Sequence, residues 1–272
     1  MDINQIIEKY NGTRESTSYD ILYYYVRAST FLKDIIKNGD ITLWAGHVDY
    51  MEDRMEFEKG MAIIRSVTEL DRAYSLTIEN TIKNRFPFQL SLSRARDCYP
   101  MWKIYGHGEL AVMLMLDYHV IKEQYPFISE CIYEGTDEYV TITSFIQGKE
   151  WITPNGRPKT NEIEKFLAQF PYLAKDRHYA YEQEVRIFRG VRKNDDRLNY
   201  MITGNIVKPF KDLVLPKEAL KGVMISPCSD EEFLLNKRAI AEKLIERGFT
   251  HLHFSNPLQE DSILKSEILV RR

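Results

Sequence analysis

The sequence predicts a mixed α+β fold: one domain with a split central sheet and peripheral helices. Short runs of strand formers recur along the chain, as in ILYYYV (21–26), DITLWAG (40–46) and the nearly continuous apolar run ELAVMLML (109–116). Charged segments with helical periodicity separate and follow these runs, and they predict helices over 137–148 and 161–170.

The first predicted helix lies at the N-terminus, over residues 1–12, and is short and amphipathic. The segment lacks a basic region followed by an apolar core, so we do not expect a signal peptide. A second short helix should follow the first strand. Ser29 or Thr30 is its predicted N-cap and Gly39 its C-terminal stop.

Helix, strand and helix are predicted next along the chain. Residues 52 to about 84 are charged with a helical pattern, which predicts one long helix or two shorter ones. FPFQLSLSRA (86–95) returns to strand alternation. CYPMWKIYG (98–106) predicts a helical turn because Pro100 stands at its start.

A strand–helix–strand unit is predicted near the C-terminus. LKGVMISP (220–227) should be a strand, and residues 229–248 an amphipathic helix capped by Ser229 or Asp230. FTHLHF (249–254) should be the second strand. Neither G-x-G-x-x-G nor a P-loop accompanies the unit, so the sequence does not predict a standard nucleotide-binding fold there.

Composition indicates an ordinary globular protein of 272 residues, with 44% hydrophobic and 28% charged residues. The formal net charge of -3 gives no general attraction to nucleic acid or anionic membranes. No run of about 18 apolar residues predicts a membrane span. Cys98, Cys131 and Cys228 match neither a zinc spacing nor a disulfide framework, so we expect a cytoplasmic protein and no metal.

The stretch YAYEQEVRIF (179–188) holds the first candidate site. Read as a strand, it places Glu182, Glu184 and Arg186 on one face. Two neighbouring carboxylates can bind a metal, share a proton, or hold a sugar hydroxyl while stabilising a cation. The alternative is a solvated strand face, on which Glu184 pairs with a neighbouring Lys or Arg such as Arg186. We expect folding to survive replacement of either acid by glutamine, since a polar strand face loses little by that change.

Two further candidates lie in the middle of the chain. Ser91 and Ser93 should share one side of a strand and could hydrogen-bond a ligand, although an exposed strand face is the simpler explanation. Trp102 and Tyr105 are neighbours on a helix and could form one wall of a pocket for a ring. The alternative for these two aromatics is core packing.

The last candidate is Arg27, which ends the first strand and could bind phosphate through two hydrogen bonds. An ordinary surface arginine is the alternative. His251 and His253 should share a strand face without a third ligand nearby, so we interpret them as structural.

The order of these motifs resembles a bacterial domain-of-unknown-function family over residues 20 to about 250. The matching stretches, in chain order, are LYYYVRAS, IIKNG, YMEDRMEFEKG, SLS, MWKIYG and YEQEVRI. MWxxYG and YExExR are the specific part of the pattern. The chain departs from it at Tyr24, where the family often has His, and at residues 52–56, where N-D-P-x-E is degraded.

That family is in turn similar to ADP-ribosyltransferases. The similarity implies an ADP-ribosyltransferase-like split sheet over about 20–255, and NAD as the substrate. Glu184 would then hydrogen-bond the nicotinamide ribose and stabilise the oxocarbenium ion, while Glu182 would orient or deprotonate the acceptor. The implied cofactor-binding residues are Tyr24, Tyr25, Arg27, Ser91, Ser93, Trp102 and Tyr105.

The predicted function is therefore NAD-dependent ADP-ribosyl transfer, or NAD glycohydrolysis with water as the acceptor. The resemblance implies a toxin or phage-defence effector that acts on an unknown protein or nucleic acid. One alternative is a non-catalytic module that retains a pocket for a nucleotide or peptide, which the absent first-strand His favours. The other is a metal-dependent nuclease using Glu182, Glu184 and Asp53.

Overall fold

A computed structural model describes residues 2–11, 20–50, 54–68, 87–153, 158–190, 198–254 and 261–268. The fold is mixed α+β, with strands paired in both directions and helices at the periphery, as predicted. Within the described ranges, no helix is both long and apolar enough to cross a membrane. The three cysteines are free thiols.

Helices and strands are interspersed along the whole chain. The helices are α1 (Ile3–Tyr10), α2 (Ala28–Thr30), α3 (Arg54–Thr68), α4 (Tyr99–Gly106), α5 (Tyr118–Gln124), α6 (Asp137–Gly148), α7 (Asn161–Leu173) and α8 (Asp230–Glu246). The strands are β1 (Ile21–Arg27), β2 (Asp40–His47), β3 (Phe88–Ser93), β4 (Ala111–Asp117), β5 (Ile128–Glu130), β6 (Ile132–Tyr133), β7 (Ala174–Lys175), β8 (Glu184–Arg189), β9 (Asn199–Thr203), β10 (Ile206–Pro216), β11 (Leu220–Ile225) and β12 (Ile263–Lys265).

The chain divides into two compact units, each assembled from three segments. The first unit comprises Met1–Ser18, Ala45–Leu90 and Phe127–Lys211, and the second comprises Tyr19–Trp44, Ser91–Pro126 and Asp212–Arg272. The prediction of a single domain over 1–272 stays a prediction.

The first unit is organised around a helical core. Helices α1, α3, α6 and α7, with the turn after α6, bury aliphatic and aromatic side chains together, among them Trp151, Phe166 and Phe170, which are fully buried. Strand β8 pairs antiparallel with β5, so that Arg186 lies opposite Ser129. The two-residue strand β7 pairs parallel with β6. These short strands fix the backbone on which the candidate site is built.

The second unit is organised around a sheet. Strand β4 pairs antiparallel with β1 along its whole length and with β11 on its other side. Both faces of β4 are largely buried, as its continuous apolar sequence predicts. Helix α8 begins with a capping box between Ser229 and Glu232, and β12, later in the chain, pairs parallel with β11.

Two strand predictions were wrong. Residues 177–182 form a 3₁₀ helix, and β8 starts only at Glu184, after Gln183 has taken a left-handed conformation with φ of 42°. FTHLHF is a series of turns, because Phe249 and Leu252 are both buried and Leu252 N–H donates to the Phe249 carbonyl. The second strand of the C-terminal unit is β12 instead.

The predicted N-cap of the second helix, Ser29 or Thr30, was also wrong. Helix α2 begins at Ala28, so Ser29 and Thr30 lie inside it, and a π-helical turn over Phe31–Ile35 follows. Gly39 does have the left-handed φ of 83° that its predicted role as a stop requires. Of the predicted helical region 52–84, the described part is α3, and the rest lies outside the described residues.

Candidate functional site

Five buried ionisable side chains of the first unit lie together, and we call them the acid–base cluster. Its members are Glu56 of α3, Lys175 of β7, Glu182 at the end of the 3₁₀ helix, and Glu184 and Arg186 of β8. None of these residues is more than 8% exposed. Burying a charged group costs free energy unless the charge is paired, so these five groups must compensate one another.

The turn between Lys175 and Glu184 brings both sequence-predicted acids to one place. The side chain of Asp176 accepts a hydrogen bond from His178 N–H and caps the 3₁₀ helix. The helix and the left-handed Gln183 then return the chain so that Glu182 lies beside Lys175. The two acids converge by this turn and not by the alternation of one strand, which corrects the predicted strand face.

Lys175 contacts all three carboxylates. Its Nζ lies 2.5 Å from Glu182 Oε2, 2.6 Å from Glu184 Oε2 and 3.5 Å from Glu56 Oε1. An ammonium group has three N–H donors, so this number of acceptors matches its capacity. The ring of Tyr179 lies on another side, with its centroid 5.1 Å from Nζ.

Arg186 holds Glu184 from the same strand face. Its Nε donates to Glu184 Oε1 at 2.8 Å and its Nη2 to Glu184 Oε2 at 2.9 Å, which is the two-point geometry preferred by guanidinium and carboxylate. The remaining donors reach Glu56 Oε2 at 2.7 Å and the Tyr172 carbonyl at 2.5 Å. Glu184 and Arg186 do share a strand face, but Val185 and Ile187 on the opposite face are buried too.

The backbone and a thiol complete the surroundings of Glu184. Its N–H donates to the Tyr133 hydroxyl at 2.7 Å, and its carbonyl accepts from Cys131 N–H at 2.9 Å. The Cys131 thiol lies 3.5 Å from Glu184 Oε2. Burial raises the pKa of the Cys131 thiol well above its usual range, so this cysteine is protonated and donates to the carboxylate.

The pKa values of the two neighbouring acids are shifted in opposite directions. Burial acts to raise the pKa of Glu184, but Arg186 and Lys175 outweigh it and hold that pKa well below its usual range. For Glu182, burial prevails over the opposing effect of Lys175, and the pKa lies above its usual value. Burial acts to lower the pKa of Lys175, but the neighbouring carboxylates raise it overall.

This arrangement places a fixed anion next to an acid whose pKa is raised. With all five groups ionised, three carboxylates and two cations leave a formal charge of −1. Glu184 cannot rotate because both of its oxygens are held, and Glu182 gains a proton more readily than an exposed glutamate does. Pairs of acids whose pKa values are pushed apart in this way are typical of acid–base chemistry.

The cluster does not resemble a metal site. Among the described residues, no group of three His, Cys, Asp or Glu side chains is arranged to hold a metal ion. Two cations already contact the carboxylates of Glu182 and Glu184, and they would repel a divalent ion. Asp53 of the nuclease hypothesis lies outside the described residues. His251 contacts the Leu220 carbonyl at 2.9 Å, in line with a structural role.

The seven predicted cofactor-binding residues belong to the second unit, whereas Glu182 and Glu184 belong to the first. Tyr25 and Trp102 are buried and meet edge to face, with ring centroids 4.8 Å apart. The Tyr25 hydroxyl donates to the Ala95 carbonyl at 2.6 Å, and Trp102 Nε1 donates to Asp97 at 2.8 Å. These contacts favour the core-packing alternative for both aromatics.

The other predicted cofactor-binding residues have mixed environments. Ser93 is buried, and its hydroxyl accepts from Ala95 N–H at 2.9 Å, so the expected exposed strand face was wrong at that position. Ser91 and Tyr24 are half-buried, while Arg27 and Tyr105 are exposed. A role in NAD binding stays a prediction for all seven.

Sequence reasoning missed Lys175 and Glu56. Lys175 ends the buried apolar run 166–174, and a lone lysine in that position is a signal that it is buried and paired. Glu56 closes the degraded 52–56 motif of the resemblance, which marks it as a candidate. Its contact with Arg186 spans 130 positions of sequence, and no local pattern indicates it.

No protein-family model matches this sequence, and a search of curated proteins finds no match. The chemistry of the acid–base cluster therefore rests on its own contacts and on the motif resemblance.

Proposed function

We propose that this chain cleaves the nicotinamide–ribose bond of NAD and transfers ADP-ribose to a macromolecular acceptor or to water. The observation that supports the proposal is the buried, ionised carboxylate of Glu184, which Arg186 and Lys175 hold in place. An ADP-ribosyltransferase-like arrangement of the sheet, and a toxin or phage-defence role, belong to the same proposal.

The reaction needs such a charge. As nicotinamide leaves, the ribose becomes an oxocarbenium ion, which a preorganised anion in a water-excluding site stabilises. Arg186 and Lys175 hold the Glu184 carboxylate in place before the substrate arrives. Glu182, with its raised pKa, is the acid that exchanges a proton with the acceptor.

One observation favours a second candidate, a non-catalytic module. Both oxygens of Glu184 are already taken by Arg186 and Lys175, and the residue is 5% exposed. A ribose hydroxyl must displace one of these contacts to reach it. In the module, the same contacts are a structural ion network, and the chain binds a nucleotide or peptide without cleaving it.

Nicotinamide release separates the two candidates. Purified protein is incubated with NAD labelled on the adenosine side, with and without cell lysate, and both free nicotinamide and transferred label are measured. The proposal predicts release by the wild type and a marked loss of label transfer in Glu182→Gln. The matched control is Glu138→Gln, which removes a Lys–Glu pair of the same unit, since Lys9 Nζ lies 3.2 Å from Glu138. No release by the wild type in either condition would favour the module.

A further inference from the structure

We propose that Lys175 is the positioning residue of the acid–base cluster, whose ammonium group holds the carboxylates of Glu182 and Glu184 side by side. The proposal deepens the proposed function and rests on it only for its kinetic consequence. Its electrostatic part concerns the folded chain alone and can be tested whether or not the protein cleaves NAD.

The contacts of Lys175 with the two acids are the geometric basis. Its Nζ lies 2.5 Å from Glu182 and 2.6 Å from Glu184, so one ammonium group bridges both. The side chain is 7% exposed, and water therefore screens these contacts little. Arg186 holds Glu184 and Glu56, but Lys175 is the cation that contacts both sequence-predicted acids.

The backbone of Lys175 is fixed on both sides. Its carbonyl accepts from Glu134 N–H at 2.8 Å, and Tyr133 lies opposite it in the parallel pair of β6 and β7. Immediately after it, Asp176 caps the 3₁₀ helix that ends at Glu182. The ammonium group thus projects from a rigid point, which a positioning role requires.

The groups that face Lys175 determine how the two carboxylates respond when its ammonium group is removed. Glu56 approaches from α3, Arg186 and Glu184 from β8, the Tyr179 ring from the 3₁₀ helix, and the Cys131 thiol from between β5 and β6. Without the ammonium group, Glu182 and Glu184 would face each other in a buried site. Repulsion between two such carboxylates favours the uptake of a proton, and we expect it on Glu182 because Arg186 still holds both oxygens of Glu184.

Carbon-13 NMR of the glutamate side-chain carboxyls, recorded on the full chain across a pH series, tests the electrostatic part. Loss of one adjacent cation raises a carboxyl titration midpoint by about 1 to 3 pH units, so we expect a shift of that size for Glu182 in Lys175→Met. Lys175→Arg should restore most of it. Lys9→Met, which removes the cation beside Glu130 and Glu138, is the matched control and should leave Glu182 unchanged. An unchanged Glu182 midpoint in Lys175→Met would overturn the proposal.

If Lys175→Met does not fold, nitrogen-15 NMR of the Lys175 ammonium group in the wild type tests the proposal instead. A hydrogen-bonded ammonium gives a slowly exchanging nitrogen-15 signal with a coupling to the Glu182 carboxyl carbon. A Lys175 ammonium in fast exchange with water would overturn the proposal.

The kinetic part is read from the pH profile of label transfer from NAD to the acceptor, which is the step assigned to Glu182. We expect the acidic limb to move to higher pH by the same about 1 to 3 pH units in Lys175→Met and to return in Lys175→Arg. A purely structural lysine would instead lower the rate by one factor at every pH, and that result would overturn the positioning role. If the wild type releases no nicotinamide, the proposed function fails, and the NMR titration still accepts or rejects the inference about Lys175.

Discussion

At the scale of single residues, burial in the acid–base cluster changes the expected effect of replacing Glu184 by glutamine. A solvated strand face would accept glutamine at either glutamate with little cost. Glu184 is instead buried between Arg186 and Lys175, so its removal leaves two buried cations without their partner. The free energy of unfolding of a Glu184 variant therefore measures how strongly the charges of the cluster depend on one another.

Glu184→Gln should lower the free energy of unfolding by about 3 to 5 kcal/mol, as expected when one member of a buried ion network is lost. Urea unfolding at neutral pH measures the change. Glu138→Gln, whose side chain is 24% exposed in its pair with Lys9, should cost only about 1 kcal/mol or less. An equal loss of unfolding free energy in the two variants would show that Glu184 stabilises the fold no more than Glu138 does in its partly exposed ion pair.

The pH dependence of the two glutamine variants should have opposite slopes. The folded pKa of Glu184 lies below its ordinary value of 4.5, so its contribution to stability is present above that pH and is lost as the pH falls through the folded value. The cost of Glu184→Gln should therefore shrink in acid. The folded pKa of Glu182 is raised, so its contribution is full below pH 4.5 and is lost as the pH rises through the folded value.

The cost of Glu182→Gln should accordingly shrink towards neutral pH. Unfolding by urea, repeated at intervals between about pH 3 and 8 for the wild type and both variants, measures these slopes. Parallel slopes would contradict the opposite pKa shifts of the two acids.

The site was only partly predictable from residues. The spacing of two residues between Glu182, Glu184 and Arg186 predicted that they lie together, and all three belong to the cluster. The spacing could not show that Lys175 and Glu56 join them, since those contacts depend on how β7 and α3 pack around β8. Burial of a charge depends on long-range packing, which one sequence does not reveal.

At the scale of elements, prediction succeeded where a capping side chain marks the start of a helix. Helix α6 has the predicted bounds 137–148, and Thr136 caps it by accepting from Tyr139 N–H. Helix α8 begins at the predicted cap Ser229. Prediction failed at 179–183, because alternating tyrosines resemble a strand while Asp176 starts a 3₁₀ helix there.

Helix α3 provides a prediction about packing within the first unit. A Cβ at Gly60 would lie 2.6 Å from the Pro171 Cα of α7, a distance that forces the two helices apart. Although alanine favours helix, Gly60→Ala should therefore destabilise by about 1 to 3 kcal/mol through overpacking.

Gly148, at the end of α6, is the matched control because a Cβ there has no atom within 4 Å. Gly148→Ala should be neutral or stabilise by up to about 1 kcal/mol. Thermal unfolding of both variants measures the difference. A stabilising Gly60→Ala would contradict the close approach of α3 and α7.

At the scale of the whole molecule, composition and pattern were enough to predict a mixed α+β protein. They did not predict two compact units, because each unit is assembled from three separate segments of the chain. The net charge of -3 gives no general attraction to a polyanion, so ligand binding must depend on local groups.

NAD should raise the melting temperature if it binds the folded chain. At a free concentration one hundred times the dissociation constant, binding stabilises by about 2.7 kcal/mol, which corresponds to a shift of several degrees for a chain of this size. Differential scanning calorimetry with and without NAD measures the shift. A saturating titration with neither a melting shift nor binding heat would contradict the assignment of NAD.

The most direct test of the account is the rate of nicotinamide release by the wild type and Glu184→Gln, compared at a temperature where both are folded. Loss of a preorganised charge typically costs about 3 to 4 kcal/mol in the transition state, so we predict a release rate roughly a hundred- to thousand-fold lower in Glu184→Gln. Equal rates in two folded proteins, or no release by the wild type with or without lysate, would contradict the claim that this carboxylate drives cleavage of NAD.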